Sequence, residues 1–160
     1  MTIKVGDKIP SAKLMEATAD GPKEVTTDEL FAGKTVVLFG VPGAFTPTCS
    51  AKHLPGFITN AAAFTAKGVD TVACMAVNDV FVMGAWRKDQ GVKDEVVMLA
   101  DGGAAFTKAL GLEFDLTARG LGVRVQRFAL VAKDGVVTHI AVEAPGAFEV
   151  SNAESVLAAL

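Results

Sequence analysis

The sequence has few cysteines, no strongly basic segment and no long apolar run. Only two of its 160 residues are cysteine, Cys49 and Cys74, which are too few for a disulfide scaffold and are typical of a reducing compartment. No run approaches the roughly 18 apolar residues of a membrane-spanning helix. Lys and Arg never exceed two in a row, which argues against a nucleic-acid or anionic-membrane surface. Asp and Glu are scattered, so no carboxylate cluster for a metal stands out.

The start of the chain indicates no targeting segment. Met1 to Asp7 lacks the apolar core of a signal peptide, and Asp7 argues against a transit sequence. The chain is 51% hydrophobic and 21% charged, with a net charge of −3, which is typical of a compact globular protein. We therefore expect one domain over residues 1–160 and a cytoplasmic location.

Helix and strand patterns alternate along the chain. The predicted strands cover 34–41, 69–77, 95–99, 127–132 and 136–142. Three predicted helices begin after capping residues: after Thr26, after Asn78 or Asp79, and after Ser151 or Asn152. Two more run from Pro47 to Lys67, with a kink at Pro55, and over 103–110. Strand, helix and strand over 34–77 predict a parallel βαβ unit, and Asp134-Gly135 predicts an antiparallel hairpin. This order favours an α/β fold with a mixed central sheet flanked by helices, in a thioredoxin-like arrangement.

The loop at residues 40–50, which reads GVPGAFTPTCS, is the most informative segment. Thr46 suits a helix N-cap whose hydroxyl accepts a backbone N–H, and Pro47 suits the first helical position. This numbering places Cys49 in the first helical turn. Free N–H groups at the positive end of a helix favour thiolate over thiol, so the loop predicts a reactive cysteine.

The segment Pro42 to Ser50, with its P-x-x-x-T-x-x-C core, resembles the active-site signature of type II peroxiredoxins. Three further segments resemble the same branch: His53-Leu54-Pro55-Gly56-Phe57, Val77-Asn78-Asp79 with Phe81-Val82-Met83 and Trp86, and Arg127-Phe128-Ala129-Leu130. The resemblance covers essentially the full length and implies a thioredoxin-like fold.

The resemblance also implies an activity. Type II peroxiredoxins are thiol peroxidases that reduce hydrogen peroxide and small alkyl hydroperoxides in antioxidant defence, use no metal or organic cofactor, and are commonly homodimers. By the family pattern Cys49 is the peroxidatic cysteine, which cycles through sulfenic acid, while Pro42, Thr46 and Arg127 complete its pocket. We expect Arg127 to stabilise charge if it reaches Cys49, and we assign the competing Arg124 to solvent.

The route by which Cys49 is regenerated stays open. Cys74 lies 25 residues after Cys49, a spacing that resembles the plant and bacterial type II pattern. In a βαβ unit, however, Cys74 would lie about 10 Å from the sheet edge, whereas a disulfide requires Cα atoms within about 7 Å. The animal type II pattern has a cysteine near 150–152, and this chain has none there. We favour an external thiol, either glutathione with glutaredoxin or thioredoxin, and keep Cys74 as a possible resolving cysteine or a packing residue.

Other residues also allow two interpretations. His53, four positions after Cys49, is compatible with a Cys–His pair or a metal ligand, although two ligands do not make a zinc site. Phe45, Phe81, Val82 and Trp86 are either core residues or a dimer patch beside the active site.

Two rival functions remain. A thiol–disulfide oxidoreductase of thioredoxin type is disfavoured because the chain has no C-x-x-C, with Thr46 in place of the first cysteine. The other rival is a redox sensor or relay with little turnover of its own.

Overall fold

Seven of the nine strands form one mixed sheet in the computed structural model, which describes residues 1–160. The strands are β1 (Lys13–Thr18), β2 (Gly21–Thr26), β3 (Thr35–Gly40), β4 (Thr71–Ala76), β5 (Val97–Ala100), β6 (Glu113–Leu116), β7 (Gly122–Val125), β8 (Phe128–Lys133) and β9 (Val136–Val142). The helices are α1 (Thr27–Phe31), α2 (Leu54–Thr59), α3 (Ala61–Ala66), α4 (Val80–Asp89), α5 (Ala105–Leu110) and α6 (Ala153–Ala158). The order in the large sheet is β2-β1-β5-β4-β3-β8-β9, and β6 pairs with β7 in a separate hairpin.

The centre of the sheet is parallel and its edges are antiparallel. Strand β3 pairs with β4, and β4 with β5, in parallel. Strand β8 pairs antiparallel with both β3 and β9. The predicted βαβ unit, the predicted closing hairpin and the mixed α/β sheet flanked by helices are therefore confirmed.

Alternating side chains of the central strands build two cores, one on each face of the sheet. In β3, Val37 and Phe39 belong to one core while Val36 and Leu38 belong to the other. The first core also contains Cys74 of β4 and residues of α2, α4 and α6; we call this the cysteine face because Cys49 packs into it as well. Helices α1 and α5 cover the opposite face.

The helix that follows the loop at residues 40–50 is interrupted as predicted, but the interruption has a different form. Helical backbone begins at Pro47 and ends at Ala66, close to the predicted bounds, with a break at Asn60. A π-helical segment, Cys49–His53, precedes Pro55, and the N–H of Leu54 donates to the carbonyl of Cys49 five residues earlier. Proline has no N–H, so an α-helical bond from Pro55 to the carbonyl of Ala51 cannot form. The wider π-helical turn ends at this position.

Predicted helix starts are confirmed at both ends of the chain. Thr26 is the N-cap of α1, where its hydroxyl accepts the N–H of Glu29 at 3.2 Å. Asn152 is the N-cap of α6 and accepts the N–H of Ser155 at 2.8 Å.

Two hairpins were not predicted. Strands β1 and β2 form one edge of the sheet through the two-residue turn Ala19-Asp20, and Gly21, the first residue of β2, has a φ of 111°. The Asp20-Gly21 dipeptide at this turn is a hairpin signal that the sequence contains. Strands β6 and β7 have only four residues each, so the alternation of polar and apolar residues in β6 is too short to reveal a strand. Across the whole fold, no helix combines the length and apolar character needed to span a membrane.

Candidate active site

Hydrogen bonds to two other segments of the chain hold the loop at 41–46 in place. The N–H of Val41 donates to the carbonyl of Met75 at 3.0 Å, which extends the β3–β4 pairing into the loop. The N–H of Ala44 donates to Asn78 Oδ1 at 2.9 Å. Phe45 adopts a φ of 65°, a left-handed conformation that costs non-glycine residues free energy, so the loop is fixed by its surroundings rather than by local preference.

Cys49 lies in the first helical turn, as predicted, and its side chain is completely buried. Its Sγ is 2.8 Å from Thr46 Oγ1 and 3.1 Å from Arg127 Nη2. The backbone N–H groups of Thr48 and Cys49 donate to no protein group, as is usual at a helix start. The sulfur is therefore surrounded by a hydroxyl, a guanidinium and free N–H donors, all of which favour negative charge.

Thr46 contacts the sulfur rather than capping the helix through its side chain, so that part of the prediction was wrong. Its carbonyl accepts the N–H of Ser50 at 3.0 Å, but its hydroxyl lies 2.7 Å from the carbonyl of Gly43 and 2.8 Å from Cys49 Sγ. A hydroxyl has one proton to donate. The proton can point to Sγ when the sulfur is a thiolate and to Gly43 when the thiol itself donates to Oγ1.

Arg127 occupies the link between β7 and β8, and its side chain reaches Cys49. One guanidinium nitrogen, Nη2, donates to Sγ, while Nη1 lies 2.9 Å from Nδ1 of His53. A unit charge at about 4 Å contributes on the order of 4 kcal/mol at an effective dielectric of 20, against roughly 0.3–1 kcal/mol for an exposed helix end. Arg127 is therefore the main electrostatic partner of the sulfur.

His53 is a buried, neutral bridge between Arg127 and the C-terminal region. Its Nε2 lies 2.9 Å from the carbonyl of Ser151. A carbonyl can only accept a hydrogen bond, so Nε2 carries the proton and Nδ1 keeps its lone pair for Arg127. Burial first, and the charge of Arg127 second, lower the pKa of His53 from 6.5 to about 3. Both ring nitrogens are occupied by these contacts, so the structure supports neither a Cys–His pair nor a metal ligand here.

Glu143, which sequence reasoning missed, follows β9 directly and is buried beside this bridge. Burial raises the pKa of its carboxyl group, but hydrogen bonds from the hydroxyl of Ser151 and from the backbone N–H groups of Glu149, Ser151 and Val150 outweigh burial, and the pKa is lowered. The sequence signal was available, because a lone acidic residue stands between a strand and Ala144-Pro145-Gly146.

Arg124 does not extend into solvent, contrary to its assignment from the sequence. Its Nη1 donates to the carbonyl of Pro42 at 3.1 Å and its Nε to the carbonyl of Leu121 at 2.8 Å. No other charged side chain donates to the carbonyl of Pro42. Arg124 thus ties the β6–β7 hairpin to the active-site loop, while Arg127 faces the sulfur.

Cys74 is completely buried in β4, on the same face of the sheet as Cys49, and both cysteines are free thiols. Its β4 position lies beside Phe39 of β3 and Met98 of β5. Burial raises the pKa of the Cys74 thiol well above its ordinary value, and the nearby Cys49 raises it further. Cys74 is therefore protonated and a poor nucleophile in this structure.

The four apolar residues predicted as core or dimer patch divide into two groups. Trp86 is fully buried, and its Nε1 donates to Ser50 Oγ at 2.9 Å, so it supports the active-site helix from within the core. Val82 packs partly against the cysteine face. Phe45 and Phe81 are 51% and 75% exposed.

A groove leads to the buried sulfur. Two adjoining cavities of about 290 and 560 Å³ share a set of lining residues: Pro42, Thr48, Phe114, Arg127, Pro145 and Gly146. Thr46 lines the larger cavity, so both side chains that touch Sγ border the groove. All four residues of the predicted site, Cys49, Thr46, Arg127 and Pro42, therefore meet at one place.

A buried cysteine beside an arginine and a hydroxyl, at the carboxyl end of a central parallel strand, defines a thiol-based redox protein. The comparisons with known proteins narrow this class. A model of the redoxin family matches residues 4–157. Chloroplastic peroxiredoxin-2E of Arabidopsis thaliana is 52% identical over 99% of this chain and 70% of its own length, and peroxiredoxin-2C of Oryza sativa subsp. japonica is 50% identical over 99% and 98%.

A solved structure agrees with these relatives. Reduced Prx3 of Vibrio vulnificus in complex with H₂O₂ superposes with a TM-score of 0.94 at 54% identity, covering 99% of both chains. The chain belongs to the redoxin family and is a peroxiredoxin, a thiol-dependent peroxidase with a thioredoxin-like fold. The predicted peroxiredoxin family, fold and antioxidant peroxidase activity are confirmed.

The neutral state of His53 predicts a pH dependence of stability. Between pH of about 3 and 6.5 the unfolded chain binds a proton at His53 that the folded chain does not, so this group makes the free energy of unfolding rise with pH. The rise is at most about 1.4 kcal/mol per pH unit and ends above pH of about 6.5. Urea unfolding of the native chain and His53→Asn at pH 4.5 and 6.0 should show a steeper rise for the native chain.

The same pair of proteins provides the control. Between pH 7 and 8 histidine is neutral in both states, so the difference between the two proteins should stay constant. Parallel stability curves from pH 4.5 to 6.0 would contradict a neutral buried His53.

Proposed function

We propose that Cys49 is the peroxidatic cysteine and that Thr46, Arg127 and Pro42 complete its site. The observation that carries this proposal is the position of Sγ between Thr46 Oγ1, at 2.8 Å, and Arg127 Nη2, at 3.1 Å. Both groups donate hydrogen bonds, and charge-assisted bonds to an anion are the strongest. Pro42 lines both cavities and offers no N–H, so it keeps the approach to the sulfur poor in water.

The reaction is an in-line displacement at oxygen. The Cys49 thiolate attacks one peroxide oxygen, the S–O bond forms and the O–O bond breaks, so sulfur loses two electrons and the peroxide gains them. The products are Cys–SOH and a hydroxide or alkoxide, which takes a proton to become water or an alcohol. Arg127 and the free N–H groups at the helix start stabilise negative charge as it moves from sulfur to the leaving oxygen.

The groove supports small hydroperoxides as substrates. Pro42, Thr48 and Arg127 line both of its parts beside the buried sulfur, whereas Leu116 and Leu121 line only the larger one. Polar groups near Sγ suit the peroxide oxygens, and the apolar side chains suit a short alkyl substituent. Hydrogen peroxide needs only the inner, polar part.

Removing either donor should slow peroxide reduction much more than general thiol chemistry. We expect Arg127→Gln to lower the second-order rate constant for H₂O₂ by about 10²–10³-fold, and Thr46→Val by about tenfold or more, because each removes a donor at the transition state. The measurement is the rate of Cys49 oxidation in single-turnover experiments. Alkylation by iodoacetamide, which breaks no O–O bond, should fall by a smaller factor.

Arg87→Gln is the matched control, because Arg87 contacts the carbonyl of Lys93, away from the sulfur. It should oxidise at the native rate. Native rates in both Arg127→Gln and Thr46→Val would disprove the proposed roles.

We further propose that an external thiol regenerates Cys49, supplied by glutathione with glutaredoxin or by thioredoxin. The support is the state of Cys74, which is fully buried and has a raised pKa, so it is not poised to attack a sulfenic acid. The groove, in contrast, is lined by Arg127, which touches the Cys49 sulfur, and by Thr48. An external thiol would displace water from Cys–SOH, and a second thiol would then release the disulfide adduct.

Intact mass measurements test this route. One equivalent of H₂O₂ should add one oxygen to Cys74→Ser and to the native chain alike, and added glutathione should convert both to a glutathione adduct. Turnover with the correct reductant should change less than about twofold in Cys74→Ser. A loss of two hydrogens in the native chain, with no turnover in Cys74→Ser under any reductant, would show that Cys74 resolves the sulfenic acid instead.

We propose that the protein is a homodimer through a surface formed by Phe45 and Phe81. Both side chains are exposed, and the hydrogen bond from Ala44 to Asn78 links the loop of Phe45 to the start of the helix that carries Phe81. Two exposed aromatic rings on neighbouring segments are typical of an interface.

A charge at this surface should separate the subunits. Phe81→Asp should sediment as a monomer at a concentration where the native chain is a dimer, because an interface does not tolerate an unpaired buried carboxylate. Val5→Asp is the control, since Val5 is 59% exposed and lies near β9. Helix α4, which carries Phe81, packs on β1 and β2, and these strands lie at the opposite end of the sheet order from β9. Equal masses for both variants would contradict the proposed surface.

We also propose that residues 1–160 act as one catalytic domain in the cytoplasm. The support for one domain is that the large sheet contains strands from residue 13 to residue 142, and the site draws on 42–53 and 127–151. The support for the cytoplasm is that both cysteines are free thiols, as is typical of a reducing compartment.

A further inference from the structure

Glu143 gathers the segment that follows β9 into a tight loop. It is 6% exposed, and its Oε2 accepts the N–H groups of Val150 at 2.9 Å and Ser151 at 2.8 Å and the hydroxyl of Ser151 at 2.7 Å. The N–H of Glu149 lies within 3.0 Å of both carboxylate oxygens. Every donor is neutral, so the carboxylate organises backbone rather than pairing with a cation.

The loop held in this way, residues 143–151, contacts His53 and Arg127 through two of its residues, Ser151 and Phe148. The carbonyl of Ser151 accepts Nε2–H of His53 at 2.9 Å. The ring of Phe148 lies 5.8 Å from Arg127 Cζ and packs edge-on against His53 at 5.0 Å between ring centroids. Neither contact reaches Cys49 directly.

These contacts form one continuous path to the reacting atom. The Ser151 carbonyl fixes the proton of His53 on Nε2, which leaves the Nδ1 lone pair to hold Arg127 Nη1 at 2.9 Å. A guanidinium is planar and rigid, so fixing Nη1 also fixes the direction of Nη2. Nη2 is the atom that contacts Sγ.

We propose that Glu143 is a positioning residue for peroxide reduction: by holding loop 143–151 it orients His53, and through His53 it aims Arg127 at the Cys49 sulfur. The proposal rests on the proposed role of Arg127. It assigns no contact with peroxide to Glu143. Its effect on the reaction passes entirely through the guanidinium, and this distinguishes it from a residue that only stabilises the fold.

A double-mutant cycle measures this dependence. We expect Glu143→Ala to slow oxidation of Cys49 by H₂O₂ about tenfold in the native background, since misplacing a catalytic group by about 1 Å can cost up to about 10²-fold. In the Arg127→Gln background the same substitution should slow oxidation by less than about twofold. Iodoacetamide alkylation should fall less than peroxide oxidation in Glu143→Ala.

A second variant covers the case in which Glu143→Ala does not fold. Glu143→Gln keeps an oxygen for the Ser151 donors but turns an NH₂ group toward the N–H of Glu149, so a smaller loss of about threefold is expected, again absent with Arg127→Gln. Glu149→Gln is the matched control, because it makes the same charge change in the same loop at an exposed side chain. It should react at the native rate.

The outcomes separate the two proposals. If Glu143→Ala slows oxidation equally in the native and Arg127→Gln backgrounds, the positioning role is overturned while the proposed role of Arg127 stands. Where only Glu143→Gln folds, the same comparison is made with that variant. A loss of rate in Glu149→Gln equal to that in the Glu143 variant would assign the effect to the charge of the loop. This result would also overturn the positioning role. A native rate in Arg127→Gln alone would disprove the role of Arg127 and, with it, this path.

Discussion

The bond between Arg127 Nη2 and Cys49 Sγ is the interaction on which the rest of the site depends. It places the only charged group in contact with the sulfur, and it requires a long, flexible side chain to hold one direction. Fixing such a side chain costs roughly 2 kcal/mol of rotamer entropy. The surroundings supply that order through His53 on one guanidinium nitrogen and the ring of Phe148 near Cζ.

The charge states around Arg127 are arranged so that no carboxylate competes with the sulfur. The structure contains two ion pairs, Lys4–Asp7 and Lys13–Glu24, and neither involves Arg127. His53 is neutral, with a pKa lowered to about 3, and Glu143 is satisfied by neutral donors. A direct pair between Arg127 and a carboxylate would neutralise the guanidinium and weaken its attraction for a thiolate, so the neutral histidine is the more suitable partner.

Much of the fold and the inner site followed from local sequence patterns, and the outer support did not. Strands β3, β4, β8 and β9 were predicted because their runs are long and apolar, and Cys49 was placed in the first helical turn because Thr46-Pro47 marks a helix start. The role of Arg124 depends on a contact with Pro42, 82 positions away, and that of Glu143 on the geometry of the loop after a strand. No local pattern records which carbonyl a buried arginine will reach, so Arg124 was assigned wrongly. Trp86 was left ambiguous for the same reason, since its hydrogen bond to Ser50 crosses 36 positions.

The two cysteines show how position alone gives the same side chain two different environments. Both are fully buried on the same face of the sheet, yet Cys49 has donors from Thr46 and Arg127, while Cys74 lies in mid-strand with no hydrogen-bond partner for its sulfur among the contacts described. Burial without donors favours the thiol, and the pKa of Cys74 is raised accordingly. The difference follows from the elements that carry them: Cys74 inside β4 is flanked by β3 and β5, whereas Cys49 lies in the first turn of the helix after β3 and contacts Arg127 in the β7–β8 link. Because Cys49 Sγ is completely buried, a reactant from the groove meets it past Thr46 and Arg127, the two side chains that both touch the sulfur and line the groove.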